Sequence, residues 1–166
     1  MSKSYANIEK LCLDELHDGY EDVCNFVKDG NHYVSDGYAL WIFSEEYDSG
    51  ETYVKYPNKG KMLEKILSLV KEYKNIEPIP LRPSGCSVIT RLYSASEYES
   101  YLTGDEVWMQ DKYITLFEPF NPTFCMYADW DEWRPIIVTS GKEFIGLIMP
   151  MHMIDEVKKE KVQEKL

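Results

Sequence analysis

Apolar residues recur at helical spacing in two stretches of this chain and alternate through much of the rest. Ile8, Leu11, Cys12 and Leu16 sit three to four residues apart in a polar segment, which predicts a first helix over residues 5–17 ending near Gly19. Beyond it the period shortens. Phe26 and Val27, then Asp29-Gly30, then His32, Tyr33 and Val34 predict a hairpin, because Gly supplies the positive φ that a tight turn needs. A further strand is expected over Tyr38 to Phe43, after Ser35-Asp36-Gly37, and residues 44–58 form a polar loop whose Asn58 can cap the next helix. That helix carries one apolar stripe of Met62, Leu63, Ile66, Leu67, Val70 and Tyr73, expected to be buried on a sheet.

Pro78, Pro80 and Pro83 are expected to prevent regular structure until Cys86, with a strand over Val88 to Tyr93. Ser96, Glu97 and Glu99 predict a short capped helix running to Leu102 and closed by Gly104. Strands then follow at Val107 to Gln110, Tyr113 to Phe117, Phe124 to Ala128, Ile136 to Thr139 and Phe144 to Met149. A turn at Asp111-Lys112 separates the first two of these and Ser140-Gly141 the last two. The fold class is therefore α+β, with helix and then antiparallel strands occurring twice and no βαβ alternation. Residues 8–153 read as a single domain and 154–166 as a charged tail, helical or disordered.

Composition narrows the function. A length of 166 residues suffices for one core, and 13 Tyr, 6 Phe and 4 Trp favour a folded chain. The N-terminus lacks a secretion-signal pattern and no apolar run is long enough to span a membrane, so a cytoplasmic protein without membrane contact is expected. Cys12, Cys24, Cys86 and Cys125 are widely spaced and read as free core thiols, while His17, His32 and His152 show no ligand spacing. No phosphate-binding glycine loop or nucleophile elbow is present. The expectation is no metal, no cofactor and no catalytic residue; the acidic pairs Glu45-Glu46 and Asp129/Asp131 read better as surface loops.

A formal charge of −11 opposes coating of nucleic acid, whose binding is driven by a basic surface. The first helical segment is acidic, with Glu9, Asp14, Glu15, Asp18, Glu21 and Asp22 against Lys10. Lys59, Lys61, Lys65, Lys71 and Lys74 against Glu64 and Glu72 could offer one basic face, so DNA contact is expected to be weak and local at most. Trp130 and Trp133, set among Asp129, Asp131 and Glu132, have the composition of an interface anchor.

Two segments resemble a domain of the bacterial DNA-polymerase sliding clamp. Val34-Ser35-Asp36-Gly37-Tyr38-Ala39-Leu40, preceded by the hairpin at Asp29-Gly30, is similar to the clamp's Asp-Gly strand. Arg134-Pro135-Ile136-Ile137-Val138 through Gly146-Leu147-Ile148-Met149-Pro150-Met151 is similar to its closing hairpin and Met-Pro-Met end. The resemblance implies a duplicated helix-plus-strands fold and an apolar groove for short peptides of replication proteins. Carried over, the groove residues are Gly37, Tyr38 and Leu40 with Met149, Pro150 and Met151. In clamps the two halves of that groove come from neighbouring domains, which implies a partner: a clamp, or another copy head to tail. The chain departs from the pattern in having one domain instead of three, an acidic first helix, Tyr38-Ala39 for His-Arg, and His152 for the Arg that follows Met-Pro-Met. The expected function is a non-enzymatic clamp-like binding module of the kind a phage or mobile element would carry. The alternative is an acidic inhibitory or immunity protein, or DNA mimic, acting by protein–protein binding.

Overall fold

A computed structural model describes residues 7–8, 10–11, 24–44, 59–73, 77–127, 134–151 and 163–164. It is a mixed α+β structure, among the described residues mostly antiparallel strands with helices at 59–73 and 111–117 and helical residues at 7–8 and 10–11, and it divides into two units. The first is Met1–Ile76 with Phe144–Leu147, and the second Glu77–Glu143 with Ile148–Leu166.

In the first unit β1 (Cys24–Lys28), β2 (Asn31–Ser35) and β3 (Ala39–Ser44) form an antiparallel meander. Asp29 and Gly30 both have positive φ, 51° and 80°, as a two-residue turn matched to the strand twist requires. Helix α1 (Lys59–Tyr73) follows. Of its expected stripe, Leu67, Val70 and Tyr73 are half-buried, and the Tyr73 ring stacks on Phe144 at 4.3 Å between centroids. The side chains of Met62, Leu63 and Ile66 lie outside the described residues, as does Asn58. Strand β10 (Glu143–Ile148) lies next to β3 in the sheet order β1-β2-β3-β10. Tyr33, Val34, Leu40, Trp41, Phe43 and Leu147 are buried here, and Ile8, in the one part of the expected first helix that is described, is 0% exposed.

The second unit holds two sheets. β4 (Ile79–Pro80), β8 (Thr123–Met126) and β9 (Ile136–Ser140) form one, antiparallel. β5 (Arg82–Ile89), β6 (Ser94–Glu99) and β7 (Glu106–Gln110) form the other, with a two-residue strand β11 (Gln163–Glu164) on the outer side of β5. Helix α2 (Asp111–Phe117) leads through a 3-10 turn, Glu118–Phe120, into β8.

Three expectations are corrected in this unit. Tyr113 to Phe117 is helix, not strand: Tyr113, Ile114 and Phe117 are the buried positions, a helical spacing that the alternation Tyr113, Thr115, Phe117 had imitated. Ser94–Glu99 is strand, not capped helix, because β6 is paired on both sides, by β5 and by β7, and that tertiary context overrides its polar composition. The proline segment is also strand: Pro80 lies in β4, a sheet edge, and Pro83 in β5 where the register shifts, both places that tolerate a missing N–H.

Candidate functional site

The first motif forms a turn between β2 and β3. The Asp36 carboxylate, 1% exposed, accepts from the backbone N–H of Tyr38 at 2.8 Å and of Ala39 at 2.9 Å, and the Gly37 N–H donates to Ser35 Oγ at 3.1 Å. Gly37 takes φ 92°, which a side chain would resist. The chemistry of Ser-Asp-Gly is thus spent on the turn itself. Its product is the placement of Tyr38, which is 51% exposed, whereas Leu40 is a core residue at 3%. Asp36→Ala is expected to cost about 1–3 kcal/mol, because the buried Ala39 N–H and the part-buried Tyr38 N–H lose their acceptor; urea denaturation measures it. A loss below about 0.5 kcal/mol would mean the turn is held by other contacts.

The second motif follows β10. Met149, Pro150 and Met151 are half-buried. The Met151 N–H donates to the Trp108 carbonyl at 2.8 Å, forming a bridge to β7, and its side chain packs on Val88, Ala95 and Trp108. Met151 is therefore partly occupied within the second unit. Strand β3 and the Phe144–Leu147 part of β10 are sheet neighbours within the first unit, whereas Met149, Pro150 and Met151 belong to the second.

Of the other candidates, Lys65 and Lys71 are exposed on α1, and Lys59 and Lys61 lie on the same helix with side chains outside the described residues. Lys74, Trp130 and Trp133 lie outside the described residues altogether.

A recess of about 360 Å³ in the second unit was not anticipated from the sequence. Pro83, Gly85 and Cys86 of β5 line it with Ser96 and Tyr98 of β6, and Asp111, Ile114, Thr115 and Glu118 supply the helical side. The Ser96 hydroxyl donates to Asp111 Oδ1 at 2.5 Å, which ties the start of α2 to the sheet. Glu97 also borders the recess, but strand alternation turns its side chain to the opposite face from Ser96 and Tyr98. There Glu97, 3% exposed, accepts from the Ser84 hydroxyl at 2.8 Å.

Burial, then the charges of Glu118 and Asp111, push the Tyr98 phenol above its usual 10.0. The two carboxylates thus add a negative potential to the effect of burial on this phenol. The same shift makes stability pH-dependent. A raised folded pKa contributes stability that is complete below the unfolded value and lost as pH rises through the folded one. Tyr98→Phe is expected to flatten the fall in stability above about pH 10, seen in denaturation midpoints across that range. An unchanged alkaline fall would mean that burial and the neighbouring carboxylates do not hold this phenol above its ordinary value.

The signal for Asp111 and Glu118 was the helical spacing of Tyr113, Ile114 and Phe117; once that segment is a helix, both acids fall at its ends beside β6. Among the described residues no group of His, Cys, Asp or Glu is placed to hold a metal ion, and no helix is long and apolar enough to cross a membrane. Comparison with protein-family models, curated proteins and solved structures finds no match.

Proposed function

We propose that the chain is a non-enzymatic, clamp-like binding module of the cytoplasm that holds a short peptide of a replication protein, a clamp, or a further copy of itself. The observation that carries this reading is the adjacency of β3 and β10. The two segments similar to the sliding clamp are far apart in sequence, yet their strands lie side by side, and the turn that opens β3 holds Tyr38 half exposed. A rigid aromatic presented on a hydrogen-bonded turn binds with little loss of side-chain freedom. The duplicated clamp-like form of the fold belongs to the same proposal. Contact with DNA, if made, is weak and confined to the lysines of α1.

Calorimetric titration of the full chain with a synthetic clamp-ligand peptide tests the reading. Binding is expected, weakened about tenfold or more by Tyr38→Ala, a loss of about 1.4 kcal/mol. Absence of binding, or binding indifferent to Tyr38, contradicts it.

The acidic recess favours the second reading, an inhibitory protein or DNA mimic. Asp111 and Glu118 beside Tyr98, on a chain of net charge −11, would meet a basic protein surface. That reading expects the chain to compete with duplex DNA for a basic DNA-binding protein, with affinity that falls steeply as salt rises.

A further inference from the structure

The turn between β6 and β7 carries two large apolar side chains that neither the turn nor the core uses. Tyr101 is 69% exposed and Leu102 78%. The turn is held by its flanks: Ser100 Oγ accepts from the N–H groups of Leu102 and Thr103, both at 3.2 Å, and the Gly104 N–H donates to the Ser100 carbonyl at 3.0 Å. Gly104 takes the positive φ, 76°. Thr103 Oγ1 donates to Met126 Sδ at 3.8 Å, which ties the turn to β8. Turns of this kind favour Gly, Asn, Asp and Ser, so the backbone gives no reason for Tyr101 or Leu102. The Tyr101 ring is also set in place. The Arg82 guanidinium lies over it, 2.7 Å from the centroid, and is itself paired with Glu99 at 2.9 Å. Asp105 and Glu106, which follow the turn, are exposed.

We infer that the β6–β7 turn is a docking site for a short segment of another protein in which an apolar side chain is flanked by lysines or arginines. A rigid aromatic already stacked by a guanidinium binds with little loss of side-chain freedom, and Tyr and Arg are the side chains on which interface energy concentrates. Tyr101 and Leu102 meet the apolar residue, and Asp105 and Glu106 the flanking cations. The net charge of −11 steers a basic segment toward them. Size and charge select this occupant over others. Folded partners bury roughly 800 Å² each in a specific interface, far more than two side chains offer, so the occupant is a short segment. The acids repel nucleic acid and anionic lipid headgroups, and a second copy docking turn to turn would set like charges against each other. The site rests on the reading of the chain as a binding module, but it carries neither clamp-like motif.

The probe is a fluorescein-labelled peptide, Lys-Leu-Lys-Phe-Lys-Leu, titrated into the full chain. Saturable binding is expected, weakened about tenfold or more by Tyr101→Ala. Leu92→Ala removes a leucine that is 92% exposed in the β5–β6 turn and should leave binding unchanged, which separates this site from general adhesion. Replacing the peptide's lysines by glutamates should abolish binding. On the unaltered chain the peptide should shift the backbone amide resonances of Tyr101, Leu102 and Asp105, a readout independent of any variant's folding. Absence of saturable binding, an equal loss with Leu92→Ala, tolerance of the glutamates, or shifts confined to other residues overturns the proposal. Retention of the chain on phosphatidylglycerol vesicles, abolished by Leu102→Ala, would assign the turn to a membrane and overturn it equally. A clamp-ligand peptide should bind the Tyr101→Ala chain as well as the unaltered one, so failure of one peptide alone sinks only the site it probes.

Discussion

Phe117→Ala is expected to destabilise the second unit by about 3–5 kcal/mol, the largest class of loss for a single core truncation. Phe117 is 0% exposed at the end of α2, and its ring meets Phe124 of β8 edge-on, with centroids 6.5 Å apart and planes at 88°. Phe124 in turn meets Tyr98 of β6 at 5.4 Å. The three rings therefore join helix, one sheet and the other, and removing the terminal one leaves a cavity that none of these elements can close alone. Because a domain of this size is stable by only about 5–15 kcal/mol, the urea midpoint should fall markedly. Phe117→Leu should lose much less, about 1–1.5 kcal/mol. A loss from Phe117→Ala below about 1 kcal/mol would mean that this ring cluster is not a packed core.

Trp41→Ala is expected to have a comparable effect in the first unit, again about 3–5 kcal/mol. Trp41 is 1% exposed on β3, and its register partner on β2 is Val34, at 0%. A directly opposed aromatic and β-branched pair contributes beyond its burial, and here it fixes the strand that follows the Asp36 turn. If the register of β2 and β3 slipped by one residue, Trp41 would pass to the other face. The variant should therefore also alter the amide resonances of Tyr38 and Ala39, not stability alone. A stable variant with those resonances unchanged would show that Trp41 does not anchor the turn.

The parts of the fold that could be read from sequence are those decided locally. Asp29-Gly30 fixes its hairpin through backbone conformation, α1 announces itself by its stripe, and Ser140-Gly141 separates β9 from β10 where expected. The misread parts are decided by partners remote in sequence. Nothing in Ser94 to Glu99 says strand until β5 and β7 flank it, and Pro83 is admissible only because β5 shifts register there. The acidic recess was hidden for the same reason, since Asp111 and Glu118 meet Tyr98 only when Tyr113 to Phe117 is wound as a helix. At the candidate groove, sequence located Tyr38 and the strands, but Leu40 proved to be core and Met151 to be engaged with Trp108.

The central claim, that the Asp36 turn and the β3–β10 neighbourhood receive a protein segment, is tested most directly by titrating a clamp-ligand peptide into the isotope-labelled full chain and following backbone amides. The expected result is saturable shifts centred on Tyr38, Ala39 and the β10 residues Phe144 to Leu147. No shifts at any peptide concentration, or shifts confined to β5 and α2, would contradict it.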